Sequence, residues 1–201
     1  KLSSTEELFA AAEVHEAENI APEPMGPWEV PTIKPLPPPE VEVEEREPVR
    51  GDQVTIIGDS VTLVSIAQLE ERLPGVFIDS EVSRPMLNLP SVAQTVREQG
   101  MMREYVVISL ATNGFVRDQE IEAMFAAIGP DHKIVLVTGY GPEHEYWIFD
   151  ANAKIHEVGE EHHDQVRVAD WAPIAASHHE LLAGDLTHPG PGGAALYADE
   201  I

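Results

Sequence analysis

The chain contains no cysteine. A disulfide framework, a reactive thiolate and a Cys-ligated zinc are therefore excluded, although the compartment is not fixed by that absence. Basic residues are scarce: 12 Lys and Arg stand against 36 Asp and Glu, for a formal net charge of −24. No basic stripe exists to neutralise phosphates, which argues against nucleic acid as a partner. The same charge argues against attraction to an anionic membrane surface, and reads first as a solubility feature. No apolar run is long enough to span a bilayer, and no stretch reads as a signal peptide. A chain that starts at Lys1 fits a piece of something longer, so the missing anchor carries no weight. No internal repeat is visible.

What is present is enough for one domain plus an extension: 201 residues, 43% of them hydrophobic. The extension is residues 1–50, which hold nine of the 17 prolines and twelve of the 36 acidic residues. Ser4-Thr5-Glu6-Glu7 fits a capping box, so a short helix can follow from Leu8. Pro22 to Pro39 then forbid a helix or an inner strand. With the acidic run Glu40 to Glu47, this predicts an extended linker or stalk, partly polyproline II at about 3.1 Å per residue.

From Gly51 onward, strand and helix patterns alternate. Strands are predicted at Gln53–Ile57, Val76–Ile78, Tyr105–Leu110, Ile134–Val137 and Val166–Val168. The third and fourth are continuous apolar runs, the mark of parallel strands buried on both faces. Helices are predicted over 61–73, 92–102, 121–128, 147–161 and 194–201. The pattern predicts an α/β flavodoxin-like three-layer sandwich, residues 51–201, around a five-stranded parallel sheet in the order 2-1-3-4-5.

In such a sheet the loops after the strands meet at one edge, and that edge binds ligands. The first strand runs straight into Gly58-Asp59-Ser60. A polar side chain there is presented at the sheet edge, beside free backbone N–H groups; it is equally suited to capping the next helix. Asn113 follows the third strand, as a candidate oxyanion donor or as half of an Asn-Gly turn. Asp185 precedes His188 by three residues before the final helix. An Asp so placed can accept one imidazole N–H, fixing the tautomer that a Ser nucleophile needs in its base. Taken singly, Asp185 and His188 read as loop polar groups satisfying backbone. Order and placement together carry the functional reading. Glu160-Glu161-His162-His163-Asp164 reads as a solvated helix end rather than a metal cluster, and no metal or cofactor is called for.

These residues resemble the SGNH (GDSL-type) hydrolases over all of Gly51–Ile201. More narrowly, the chain is similar to the extracytoplasmic C-terminal domain of peptidoglycan O-acetyltransferases. The resemblance rests on Gly58–Val61, Val82-Ser83-Arg84-Pro85, Ala111–Gly114, Trp147 with Asn152, Asp170-Trp171 and Asp185–His188. It implies Ser60 as nucleophile, His188 as base and Asp185 as its orienter. It also implies an oxyanion hole from the N–H groups of Ser60 and Ser83 and the Asn113 side chain. Two positions depart from the family pattern: Ser83 replaces a glycine, and Pro85 replaces a glutamine. Arg84, Tyr140 and Trp147 are the expected substrate-binding residues, flanking the Ser from the second and fourth loops.

The implied activity is transfer of an acetyl group to a cell-wall glycan hydroxyl, C6 of N-acetylmuramic acid. The partners are then an acetyl donor and a glycan acceptor, outside the cytoplasmic membrane. The resemblance also implies an integral-membrane acyltransferase domain on the N-terminal side of the stalk. The rival readings are a carbohydrate acetylesterase, a transferase for another surface glycan, and a non-catalytic glycan-binding module.

Overall fold

The first strand, β1 (Val54–Gly58), is buried at every position because it is an interior strand of its sheet, with a neighbour on each side and helices on both faces. The computed structural model describes residues 48–142 and 145–201, so the stalk and N-terminal helix expected over 1–50 lie, up to residue 47, outside the described residues. After β1 come α1 (Ser60–Val64), α2 (Ile66–Arg72), β2 (Phe77–Ser80), α3 (Leu89–Glu98), β3 (Tyr105–Ser109) and α4 (Asp118–Ile128). Then follow β4 (Lys133–Val137), α5 (Trp147–Glu161), β5 (Val166–Ala169), α6 (Trp171–Ser177) and α7 (Pro191–Glu200). Every strand pair is parallel and the order is β2-β1-β3-β4-β5, the order the sequence predicts.

Alternation along the strands divides the core into two layers. Ile57, Val106, Ile108, Ile134 and Leu136 face α3, α4 and α5, where Leu89, Val96, Met124 and Ile155 meet them. Val54, Ile56, Val107 and Val137 face Leu69, Trp171, Tyr197 and Ala198 on the helices of the opposite side. Both faces of the sheet are therefore dry, which is why β3 and β4 read as unbroken apolar runs.

Two local features differ from the pattern. The single helix expected over 61–73 is broken at Ser65, whose hydroxyl donates back to the Val61 carbonyl at 2.8 Å. Such back-bonding competes with the helical ladder. A short helix, α6, also fills the stretch after β5; its first residue Trp171 is almost wholly buried, edge-on to Tyr197 at 5.4 Å.

Candidate active site

Gly58 ends β1 because nothing larger fits: a Cβ there would collide with the Thr62 side chain, which the turn folds back against the strand. Asp59 then caps α1, its carboxylate accepting the Val61 N–H at 2.9 Å. With capping assigned to Asp59, Ser60 is left at the first helical position with its hydroxyl free for another partner. Its N–H, like any at that position, has no intrahelical acceptor. The turn is pinned from below by a buried chain of hydroxyls. Thr62 Oγ1 lies 2.9 Å from Tyr197 Oη, which donates to Ser109 Oγ at 2.7 Å. Burial pushes the Tyr197 phenol well above its ordinary range, so it stays protonated and available as that donor.

The loop before α7 brings the base to the serine. Ser60 Oγ donates to His188 Nε2 at 2.8 Å, and His188 Nδ1 donates to Asp185 Oδ2 at 2.7 Å. Asp185 is fixed in turn by its other oxygen, which accepts the N–H groups of Thr187 at 3.0 Å and His188 at 3.1 Å. That tight turn requires Leu186 to take a left-handed conformation, φ 57. For a bulky residue this is a true outlier, of the kind stored at functional sites. The Thr187 N–H, then the His188 side chain and N–H, hold the Asp185 carboxyl down at about 2.

Asn113 Nδ2 donates to Asp59 Oδ2 at 3.0 Å. One amide hydrogen is thereby anchored, leaving the second available to a ligand. Ser60, Asn113, Asp185, His188 and Trp147 line one open cleft of about 560 Å³. Trp147 Nε1 donates to the Thr112 carbonyl at 2.9 Å, tying the start of α5 to the Asn113 loop.

The remaining expected site residues lie elsewhere. Arg84, expected to bind substrate, is absent from the wall of that cleft. It is buried, with Nη1 donating to the Gly58 and Asp79 carbonyls at 3.2 and 2.8 Å and Nη2 to Asp79 Oδ1 at 2.7 Å. The physical reason is that two adjacent parallel strands end here, and their carbonyls need donors. Tyr140 is also displaced from the cleft. Its hydroxyl pairs with His179 Nε2, and its ring lines a separate cavity of about 260 Å³ beyond the first turn of α5. Ser83 does not line the cleft either, but it takes φ 59, the left-handed conformation that glycine adopts freely. Asn152 serves the backbone, bonding both the N–H and the carbonyl of Gly139 at 2.8 Å.

Two site residues escape sequence reasoning. Glu145 lines the cleft, with Oε2 buried and unpartnered among the described residues. No pattern marks it, because it stands in a loop. Asp59 reads as a cap alone, yet it also orients Asn113. Burial pushes its carboxyl up to about 6, against the lowering effects of the Val61 N–H, Thr112, Asn113 and His188. Asp59 therefore binds its proton more tightly folded than unfolded, and its contribution to stability falls as the pH rises from about 4 to about 6. Asp185 acts in the opposite sense between about 2 and about 4. Thermal melts should show this: the loss of stability between pH 4 and pH 6, about 2 kcal/mol for Asp59 alone, should be largely absent in Asp59→Asn. A slope unaltered by that substitution would contradict the assignment.

No family model matches the chain. It is 30% identical over 142 residues, 71% of its length, to the putative peptidoglycan O-acetyltransferase YrhL of Bacillus subtilis. The chain spans about a fifth of that relative's length, the match covering 22% of it. The solved C-terminal catalytic domain of Streptococcus pneumoniae peptidoglycan O-acetyltransferase A is 27% identical, with a TM-score of 0.67, over 76% of this chain and 91% of that one. A lipolytic G-D-S-L family protein from Veillonella parvula shares the fold, at 12% identity and a TM-score of 0.59, over 73% of this chain and 94% of that one. The chain has the SGNH (GDSL-type) hydrolase fold. Within that class it is similar to the C-terminal domain of peptidoglycan O-acetyltransferases.

Proposed function

We propose that this domain is a serine-dependent O-acetyltransferase that moves an acetyl group from a donor to a cell-wall glycan hydroxyl, C6 of N-acetylmuramic acid. The observation that carries the proposal is the unbroken relay Ser60–His188–Asp185 opening into the cleft. Ser60 Oγ attacks the acetyl carbonyl while His188 Nε2 takes its proton. Asp185, held ionised, stabilises the imidazolium that forms. The tetrahedral oxyanion is received by the Ser60 N–H and by the second hydrogen of Asn113. Collapse expels the donor's leaving group, which recovers the proton from His188. An acetyl-Ser60 ester remains. His188 then deprotonates the incoming sugar hydroxyl, which attacks the ester and frees Ser60.

A wall glycan as acceptor draws support from the O-acetyltransferase relatives. On this reading the domain works outside the cytoplasmic membrane, tethered through a membrane acyltransferase domain of a longer protein. Among the described residues no helix is long and apolar enough to cross a membrane. An acetylesterase would use the same three residues and differ only in admitting water.

The test is to supply an activated acetyl ester with and without N-acetylhexosamine oligomers. A positioned hydroxyl should replace a poorly placed water, so the oligomers should raise donor consumption and become acetylated. Trp147→Ala should reduce transfer more than hydrolysis. If no acceptor gains an acetyl group while pre-acetylated glycan is readily cleaved, the domain is an esterase.

A further inference from the structure

Tyr146 stands just before α5 with its side chain largely in solvent, 61% exposed. An aromatic ring left out of the core contributes little to folding, yet this one is held in place. Its ring meets Phe115 edge-on at 6.0 Å and Trp147 edge-on at 5.7 Å. Phe115 is steadied in turn by the Arg117 guanidinium, 4.2 Å above its ring centre. Trp147 belongs to the wall of the cleft that holds Ser60 and His188. The aromatic ridge therefore starts inside the cleft and runs outward from it.

We propose that Tyr146, propped between Phe115 and Trp147, is an outer sugar subsite, a stacking surface for the N-acetylhexosamine unit next to the one that receives the acyl group. The inference rests on the transferase reading for which end of the glycan enters the cleft. A pyranose chair has one flat face of C–H groups and a rim of hydroxyls. The face can lie on the Tyr146 ring while the rim stays wet, within range of the tyrosine hydroxyl and of donors such as Arg117. A ring already fixed by its neighbours loses little conformational freedom when a sugar settles on it. The competing occupants fit less well. A net charge of −24 disfavours the stacked bases of a nucleic acid. A protein partner would need far more area than one exposed ring, on the order of 800 Å² per side.

The test is binding of N-acetylglucosamine oligomers to Ser60→Ala, which is unable to turn them over, followed by calorimetry. Affinity should rise about tenfold from dimer to tetramer, the size of one aromatic stacking contact. Adding Tyr146→Ala should cut that gain below about twofold. Tyr146→Phe should keep most of it, and Phe115→Ala should lose it in part by releasing the Tyr146 ring. The gain with length is the readout, so a general loss of affinity does not mimic the result. Equal affinity for dimer and tetramer before the second substitution, or an undiminished gain in the Tyr146→Ala background, overturns the subsite. If the gain depends on Tyr146 but no oligomer is ever acetylated, the transferase reading fails and the subsite stands.

Discussion

Ser60→Ala is expected to lower turnover of an activated acetyl ester by about 10⁶-fold, the scale of nucleophile losses in serine enzymes. The substitution removes one hydroxyl at a position that the structure shows to be structurally undemanding. Asp59, not Ser60, caps the helix. The hydroxyl's hydrogen-bond partner is His188, which the Asp185 turn holds independently. Melting temperature should therefore change little while turnover collapses. A steady-state assay with a thermal melt on the same sample checks both halves. Activity within tenfold of the parent would remove Ser60 from the covalent step.

Asp185→Asn should cost about 10⁴-fold in kcat, through the tautomer of His188 rather than through the fold. An Asn carbonyl oxygen can still accept the Thr187 and His188 N–H groups, so the turn through Leu186 persists. Its amide nitrogen then faces His188 Nδ1 and donates to it. The ring must answer with a lone pair at Nδ1, which moves its single proton to Nε2. Nε2 so protonated can no longer take the Ser60 proton. The imidazolium also loses the carboxylate that is held ionised down to about pH 2. KM should move far less than kcat, because the lost interaction matters mainly after proton transfer has begun. A loss confined to KM would make Asp185 a scaffold for the loop alone.

Much of the fold was legible because the sheet is dry on both faces. Val106 to Ile108 and Ile134 to Leu136 had to be apolar in succession, and such runs are visible in a sequence. The break at Ser65 was not visible, since back-bonding to the Val61 carbonyl is decided by tertiary packing around a buried hydroxyl. At the site, chain order placed Ser60, Asn113, Asp185 and His188 on loops that a parallel sheet brings to one edge. The aim of a long side chain is another matter. Arg84 and Tyr140 stand on the right loops, yet one turns inward to strand-end carbonyls and the other outward to His179. Glu145 and Tyr146 carry no pattern of their own and gain meaning only beside Trp147. The left-handed turn at Leu186 is equally silent, because a leucine gives no hint of positive φ.

The central claim is an acetyl group carried on Ser60 and passed to a sugar. Rapid quenching after mixing with an activated acetyl ester, followed by mass analysis of the protein and its peptides, tests it most directly. The account predicts one added acetyl group on the peptide containing Ser60. That group should decay faster when an N-acetylhexosamine oligomer is present, with the same acetyl mass appearing on the oligomer. Donor turnover with no acetyl group on Ser60 at any quench time, or an acetyl-Ser60 whose decay is indifferent to every oligomer, would contradict it.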